Sequence, residues 1–418
     1  MFERLFQNPF VLARQRNGPL AEERHRYLAH CALQQMSRET LRRIARYTLI
    51  AAQALRLAER PGELVTRAEV KGEVDRWLGR RFRRSTARQT RLLGVDFMGH
   101  VSRWLTFLRR LQLPAPAQRL YAAEVARFTD YMLRERGLSP QTIVYRRRAI
   151  HRFLAEIDEA DLRLDQLTVA QLDELLVRMI QDNRYARTTI QTLVSALRPF
   201  FRFAEQHGWC RLGLAAAIIA PRRYQHEGLP IGLSWDDVKR LLAAVGGDQP
   251  ADIRDRALLM MLAIYGLRAG EVTALNLKDF DWEREMLYVP RGKSQWPRNY
   301  PLCRHVGDAV LRYLREARPR TDRREVFLTL VAPFRPLTAN SLGRAVYRHF
   351  RALGLTLPHY GAHMLRHACA SHLLSQGLSL KEIGDHLGHS DPDVTRIYAK
   401  VDLAALRAVG DVPLEGLP

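Results

Sequence analysis

Apolar residues recur every three or four positions through most of the first two hundred residues, the period of helices that bury one face. The block from Tyr27 to Leu57 breaks at Met36-Ser37, where Ser37 is placed to cap a second helix carrying Leu41, Ile44 and Tyr47. The block from Tyr121 to Ile157 breaks at Ser139-Pro140, a cap and a first-turn proline ahead of Thr142, Val144 and Tyr145. Both blocks thus contain a helix, a Ser-x-x-Thr break and a basic helix, with Arg42-Arg43 in one and Arg146-Arg147-Arg148 in the other. A duplicated helical unit would produce this likeness, and so would coincidence.

Further along, Thr168-x-x-Gln171 reads as a capping box, and Thr188 to Glu205 as a helix with Ile190, Leu193, Leu197, Phe200 and Phe201 on its apolar side. The proline-bearing break Leu113-Pro-Ala-Pro116 separates residues 1–112 from a four-helix unit at 118–208. Residues 209–230, with the basic stretch Pro221 to Pro230, read as a linker, and 231–418 as a second globular unit. That last unit is mixed. Ser234-x-x-Asp237 opens a helix, Ala257 to Tyr265 forms another that ends at Gly266, and short strands are expected at Met286 to Pro290, Asn299 to Leu302 and Val326 to Leu330. Helices return from Thr338: Ser379-x-x-Glu382 caps one, Gly388 ends it, and Asp391-Pro392 starts the next. The predicted fold is mainly α with a small β-sheet.

Charge adds a partner to this picture. The chain of 418 residues carries 66 basic and 44 acidic side chains, a net +22, and such an excess points to a polyanion, with nucleic acid first. Residues 1–110 hold 23 basic and 10 acidic residues, densest at Arg80-Arg-Phe-Arg-Arg84. The candidate DNA contacts are Arg81, Arg83 and Arg84 there, Arg146, Arg147, Arg148 and Arg187 in the four-helix unit, and Arg222 and Arg223 in the linker. No apolar run approaches the ~18 to 20 residues that cross a bilayer. Four scattered cysteines without paired spacing fit reduced thiols in a bacterial cytoplasm.

The candidate chemistry lies near the C-terminus. His363 and Arg366 are three apart and share a helix face, His389 falls in the turn of Leu387-Gly-His-Ser390, and Tyr398 stands nine residues beyond it. With Arg268 and Lys293 upstream, one hydroxyl is surrounded by cations, an arrangement suited to a phosphodiester. Two guanidiniums can grip phosphate oxygens, His389 can donate to another, His363 can take the phenolic proton and Lys293 can protonate a departing sugar oxygen. Taken singly, each has a structural reading: Tyr398 a packed tyrosine, His363 a satisfied core histidine, Arg268 a cation at a helix end, Lys293 hairpin solvation, Glu271 a surface acid. His367 reads as structural. His363 and His367 have the spacing of zinc-protease ligands, but Met364 stands where such enzymes need Glu, and no third ligand is evident.

Tyr265-Gly-Leu-Arg-Ala-Gly-Glu-Val272, Arg291-Gly-Lys293, His363-Met-Leu-Arg-His367, Leu387-Gly-His-Ser390 and Thr395-Arg-Ile-Tyr-Ala-Lys400 together resemble the tyrosine recombinases, the phage-integrase class of site-specific DNA recombinases. The unit at 118–208 is similar to that family's SAM-like core-binding domain. The resemblance implies a C-shaped clamp of a helical and a catalytic domain on double-stranded DNA. It implies that Tyr398 forms a 3′-phosphotyrosyl link, with strand exchange through a Holliday junction in a homotetramer and no metal, ATP or other cofactor. Accessory or sister recombinases are further partners it suggests. Glu271 takes the acidic position after the first arginine, where it orients its neighbours, while Ser294-Gln-Trp-Pro297 departs from the family's turn beside Lys293. The alternatives are a topoisomerase or hairpin-forming resolvase using the same chemistry, and a non-catalytic DNA-binding protein. Residues 1–112 exceed what minimal recombinases carry and read as an arm-type DNA-binding or protein-contact module.

Overall fold

The computed structural model describes residues 1–81, 87–112, 121–182, 187–219, 233–290, 297–355, 357, 360–388 and 395. The chain divides into two compact units, Leu113–Gln225 and a unit combining Met1–Gln112 with His226–Pro418. Within the latter, the N-terminal and C-terminal segments each bury an apolar core of their own.

In the N-terminal segment, α1 (Phe2–Leu5) and α2 (Pro9–Arg16) precede four longer helices: α3 (Ala21–Leu33), α4 (Arg38–Ala54), α5 (Arg67–Arg81) and α6 (Ala87–Phe107). Their shared core contains Tyr27, Ile44, Val74, Phe97 and Trp104. Two-residue strands β1 (Val65–Thr66) and β2 (Leu111–Gln112), which hydrophobic period alone does not reveal, pair in parallel and tie the end of this segment to the start of α5.

The middle unit comprises α7 (Ala122–Arg134), α8 (Pro140–Glu159), α9 (Val169–Asp182), α10 (Arg187–Gln206) and the short α11 (Leu214–Ala217). Ser139 Oγ accepts the Thr142 N–H at 3.2 Å, and Thr168 and Gln171 cap each other reciprocally, so both predicted helix starts form as the side chains dictate. Residues 209–219 are not loose linker: Cys210, Leu214, Ala215 and Ile218 are buried in this unit's core, because apolar residues at that spacing complete the packing against α10.

The C-terminal segment begins with α12 (Trp235–Ala244), capped by Ser234 at Asp237 N–H. Next comes α13 (Pro250–Ile264), seven residues longer at its start than predicted because Pro250 occupies the first turn. A short α14 (Ala269–Ala274) leads to an antiparallel sheet of β3 (Phe280–Asp281), β4 (Met286–Val289) and β5 (Arg298–Pro301), in the order β3-β4-β5. Residues Val326 to Leu330 do not form the expected strand. Val326, Phe327 and Leu328 are fully buried, but their backbone pairs only at isolated points, including Val326 N–H to Leu275 O at 2.8 Å. Among the described residues, four α-helices follow: α15 (Arg304–Arg312), α16 (Ala339–Ala352), α17 (Ala362–Ser375) and α18 (Leu380–Leu387). Residues 257–263 of α13 are all buried, and the helix forms the centre around which α15, α16 and α17 pack. No helix among the described residues is long and apolar enough to cross a membrane.

Candidate active site

The end of α13, the middle of α17 and the end of α18 meet at Gly266. Its φ of +59° is a left-handed value that suits glycine, and a Cβ there would stand 2.4 Å from Leu387 Cδ2 and 3.2 Å from Cys369 Sγ. The turn it makes delivers Arg268 to the N-cap of α14, where the Glu271 carboxylate reaches back to the Arg268 backbone N–H at 2.9 Å.

Arg366, from α17, is only 1% exposed. It donates through Nη1 to Gly266 O at 2.6 Å and through Nη2 to Leu387 O at 2.7 Å, tying both neighbouring turns to one guanidinium. Arg268 donates to Glu271 Oε1 at 2.8 Å and to Gly388 O at 3.3 Å. A third guanidinium completes the set. Arg298, at the start of β5, donates to the same Glu271 oxygen at 2.7 Å, to Leu387 O at 2.7 Å and to the Tyr300 hydroxyl at 2.9 Å. Gly388, with φ +67°, ends α18 where a Cβ would lie 2.8 Å from the Arg298 side chain, so turn geometry and arginine stacking both require its lack of a side chain.

Three guanidiniums therefore gather around three backbone carbonyls, those of Gly266, Leu387 and Gly388, and two of them, Arg268 and Arg298, share the Glu271 carboxylate. Burial alone would raise the Glu271 pKa. The Arg268 N–H and the charge of Arg298 outweigh it and hold the carboxyl below the usual range, so Glu271 stays ionised. Even so, this one negative charge is shared by two positive ones, Arg268 and Arg298, with Arg366 meeting Arg298 at the Leu387 carbonyl. The excess is arranged for an anion.

His363, one turn before Arg366, is exposed, and its pKa is lowered by the protein surrounding the ring and by the charges of Arg366 and Arg268. It is neutral at pH 7 and able to accept a proton. His367 packs edge-on against it with ring centres 4.2 Å apart, and its own pKa is pushed down to about 4, by burial first and then by His363 and Arg366. The Tyr300 phenol is pushed up to about 12 by burial and bonds to His386 O; Tyr265 is likewise raised and donates to Pro301 O at 3.0 Å. Both phenols are engaged in the scaffold.

The sequence pattern of the phage integrase family matches residues 232–404, and that family's N-terminal SAM-like domain matches 125–208. The Sinorhizobium fredii protein y4rF, described as an integrase/recombinase, is 31% identical over 432 aligned residues, covering 100% of this chain and 96% of its own. The chain belongs to the phage integrase family of tyrosine recombinases. Tyrosine recombinase XerC of Alcanivorax borkumensis is 32% identical over 294 residues, covering 68% of this recombinase and 91% of its own chain. Among solved structures, XerH bound to palindromic difH substrate covers 69% of this chain and 84% of its own, at 20% identity and TM-score 0.53. The Tn1549 transposon integrase with circular intermediate DNA covers 69% and 99%, at 21% and 0.51. These two share the fold.

Of the site residues expected from the sequence, Arg268, Glu271, His363, Arg366 and His367 are brought together in the recombinase. Lys293, His389 and Tyr398 lie outside the described residues, as do Arg83, Arg84, Arg222 and Arg223. Thr395, three residues before Tyr398, is helical and buried, and a Cβ on Gly384 of α18 would meet its Oγ1 at 3.1 Å. Arg147 and Arg148 are exposed on α8, Arg146 is half-buried, and of Arg81 and Arg187 only the helical backbone is described. Sequence reasoning missed Arg298. The available signal was its place two residues before Tyr300, on the same face of a strand.

Proposed function

We propose that this recombinase exchanges DNA strands through Tyr398. The phenolic oxygen attacks the scissile phosphorus while His363, neutral at physiological pH, accepts the phenolic proton. The phosphorus–O5′ bond breaks, its electron pair leaves with the sugar oxygen, and Lys293 supplies the proton that completes the 5′-hydroxyl. Protein and DNA are then joined by a 3′-phosphotyrosyl bond. Arg268, Arg366 and His389 neutralise the non-bridging oxygens of the pentavalent transition state. Attack by the partner strand's 5′-hydroxyl reverses the step and restores a phosphodiester without an energy source. Four protomers carry this out on duplex DNA in the bacterial cytoplasm through a Holliday junction, with accessory or sister recombinases as further partners, in the integration, excision or transposition of a mobile element.

The observation that supports this reading most directly is the sharing of the Glu271 carboxylate by Arg268 and Arg298, with Arg366 and Arg298 meeting at the Leu387 carbonyl, beside a histidine whose pKa is lowered. The test is Tyr398→Phe on a nicked duplex, read on a denaturing gel. DNA binding persists and the covalent protein–DNA adduct disappears. A normal adduct yield from that variant assigns the nucleophile elsewhere.

A further inference from the structure

The N-terminal helices repeat the middle unit turn by turn. Ser37 Oγ accepts the Thr40 N–H at 3.2 Å and meets its hydroxyl at 2.9 Å, and Ser139 does the same to Thr142 at 3.2 and 2.9 Å. Thr66 and Glu69 cap α5 reciprocally, as Thr168 and Gln171 cap α9. Both matches have one displacement, 102 residues (37 to 139, 66 to 168).

The unusual backbone agrees as well. Leu20 (φ 53°) and Tyr121 (57°) open α3 and α7, and Gln35 (60°) and Gly137 (57°) precede the serine caps. Arg56 (48°) and Asp161 (52°) follow α4 and α8, while Arg109 (55°) and Gly208 (66°) follow α6 and α10. Left-handed non-glycine residues are uncommon, and two of these four turns carry one in both copies, Leu20 with Tyr121 and Arg56 with Asp161. Leu41, Thr48, Ala51 and Ala52 of α4 and Leu55 just past its end are buried where Ile143, Ile150, Phe153, Leu154 and Ile157 are buried on α8. Residues 20–112 are a second copy of the four-helix fold.

The copies differ in what covers them. Where α8 carries Arg146 and Arg147, α4 carries Ile44 and Ala45, buried with Phe2 and Leu5 of α1, and Arg42 bonds to Leu5 O at 2.6 Å. That face is closed. The basic side chains stand instead around a cleft of about 560 Å³ between α2, α4 and α5, lined by Arg14, Arg46, Arg76 and Arg80 beside Trp77. Arg46 and Arg76 occupy the positions of Arg148 and Arg178 in the other copy. Among the described residues, Glu73 is the only acid in the lining and pairs with Arg76, whereas Arg14, Arg46 and Arg80 form no ion pair.

We propose that this cleft is a second duplex-DNA site, in which Arg14, Arg46, Arg76 and Arg80 hold backbone phosphates of a DNA segment separate from the one at the catalytic unit. The choice of DNA over an acidic protein rests on the cleft's excess of exposed arginine and on its place in a copy of a fold whose sister matches the N-terminal SAM-like domain of a family of DNA recombinases.

The experiment uses the full chain carrying Tyr398→Phe, so that binding is read whether or not cleavage proceeds as proposed above. Affinity for a non-specific 40-base-pair duplex is measured against salt. Each phosphate contact contributes roughly 0.9 to the slope of log K against log salt, so Arg46→Glu with Arg80→Glu lowers it by about two. Arg46→Lys with Arg80→Lys leaves it nearly unchanged. On the chain without those two changes, the same duplex shields Arg14, Arg46, Arg76 and Arg80 from phenylglyoxal, which keeps the test open if the charge reversal unfolds the unit. An unchanged slope in a folded double variant overturns the proposal. So does shielding that follows protein concentration and not DNA, which assigns the cleft to a neighbouring copy.

Discussion

Two turns in this recombinase, one between α2 and α3 and one between α13 and α14, are each built on an arginine withdrawn almost wholly from water. Arg24 is 0% exposed and donates to Pro19 O at 2.9 Å, to Gln15 Oε1 at 2.7 Å, to Gln15 O at 2.6 Å and to Gly18 O at 3.2 Å. Its guanidinium lies 5.3 Å from the Phe2 ring centre, and burial lowers its pKa to about 10. Arg366 also binds backbone carbonyls, those of Gly266 and Leu387. A buried guanidinium held by carbonyls is therefore a fastening used in both places. The difference lies in the company: beside Arg366 stand Arg268, Arg298 and His363, whereas Arg24 is bound to a loop of neutral acceptors. Convergence of cations, more than burial of one, distinguishes the candidate site.

Truncating both arginines separates these roles most sharply. Arg366→Ala should slow single-turnover strand cleavage by about 10³-fold, the scale of losing a preorganised donor to a developing oxyanion. Arg24→Met should leave the rate per folded molecule within about twofold, while costing about 3 kcal/mol of stability through orphaned acceptors and lost packing. Quenched-flow cleavage and urea unfolding followed by tryptophan fluorescence check the pair. Equal kinetic losses would erase the distinction.

What could be read without coordinates divides along a similar line. The starts of α4, α8, α9, α12 and α18 were legible because Ser37, Ser139, Thr168, Ser234 and Ser379 act on N–H groups three residues away. Gly266 and Gly388 marked turns for the same local reason. The strand expected at Val326 to Leu330 failed because pairing depends on distant partners, and those present, Leu275 on one side and Arg335 to Leu337 on the other, offer only scattered bonds. Arg298 was illegible for the same cause: its partners Glu271 and Leu387 come near only in the folded chain. The likeness between the two helical units showed in sequence only as a shared cap and basic helix. Its proof lies in backbone angles at turns whose residues differ, such as Arg109 and Gly208.

Acid should strain the two turns unequally. His367 has a folded pKa of about 4, below the roughly 6.5 of an unfolded histidine. Between those values the unfolded chain binds a proton that the folded chain refuses, so stability falls as pH drops from about 6.5 and the loss levels off below about 4, at about 3 kcal/mol. His363 and His386 are shifted in the same direction. The C-terminal segment should therefore loosen in mild acid, and His367→Gln should flatten the dependence of its melting temperature on pH between about 4 and 6.5. An unaltered acid limb in that variant would place the sensitivity elsewhere.

Arg298 offers the finest test, because it is the cation that the Arg24 turn has no counterpart for. It touches Glu271, Leu387 O and the Tyr300 hydroxyl, which makes it a positioning residue acting through others. Arg298→Gln removes one of the two cations on the Glu271 carboxylate, so the Glu271 pKa must rise from its lowered value. Cleavage should slow by about 10-fold at neutral pH, consistent with removing one charged hydrogen bond of about 1.5 kcal/mol. The acid limb of the rate profile should also move to higher pH, since Glu271 then loses its charge earlier on acidification. A merely structural loss would lower the whole profile without displacing that limb. Arg298→Lys, keeping the charge but not the fork, should restore the limb while leaving part of the rate defect.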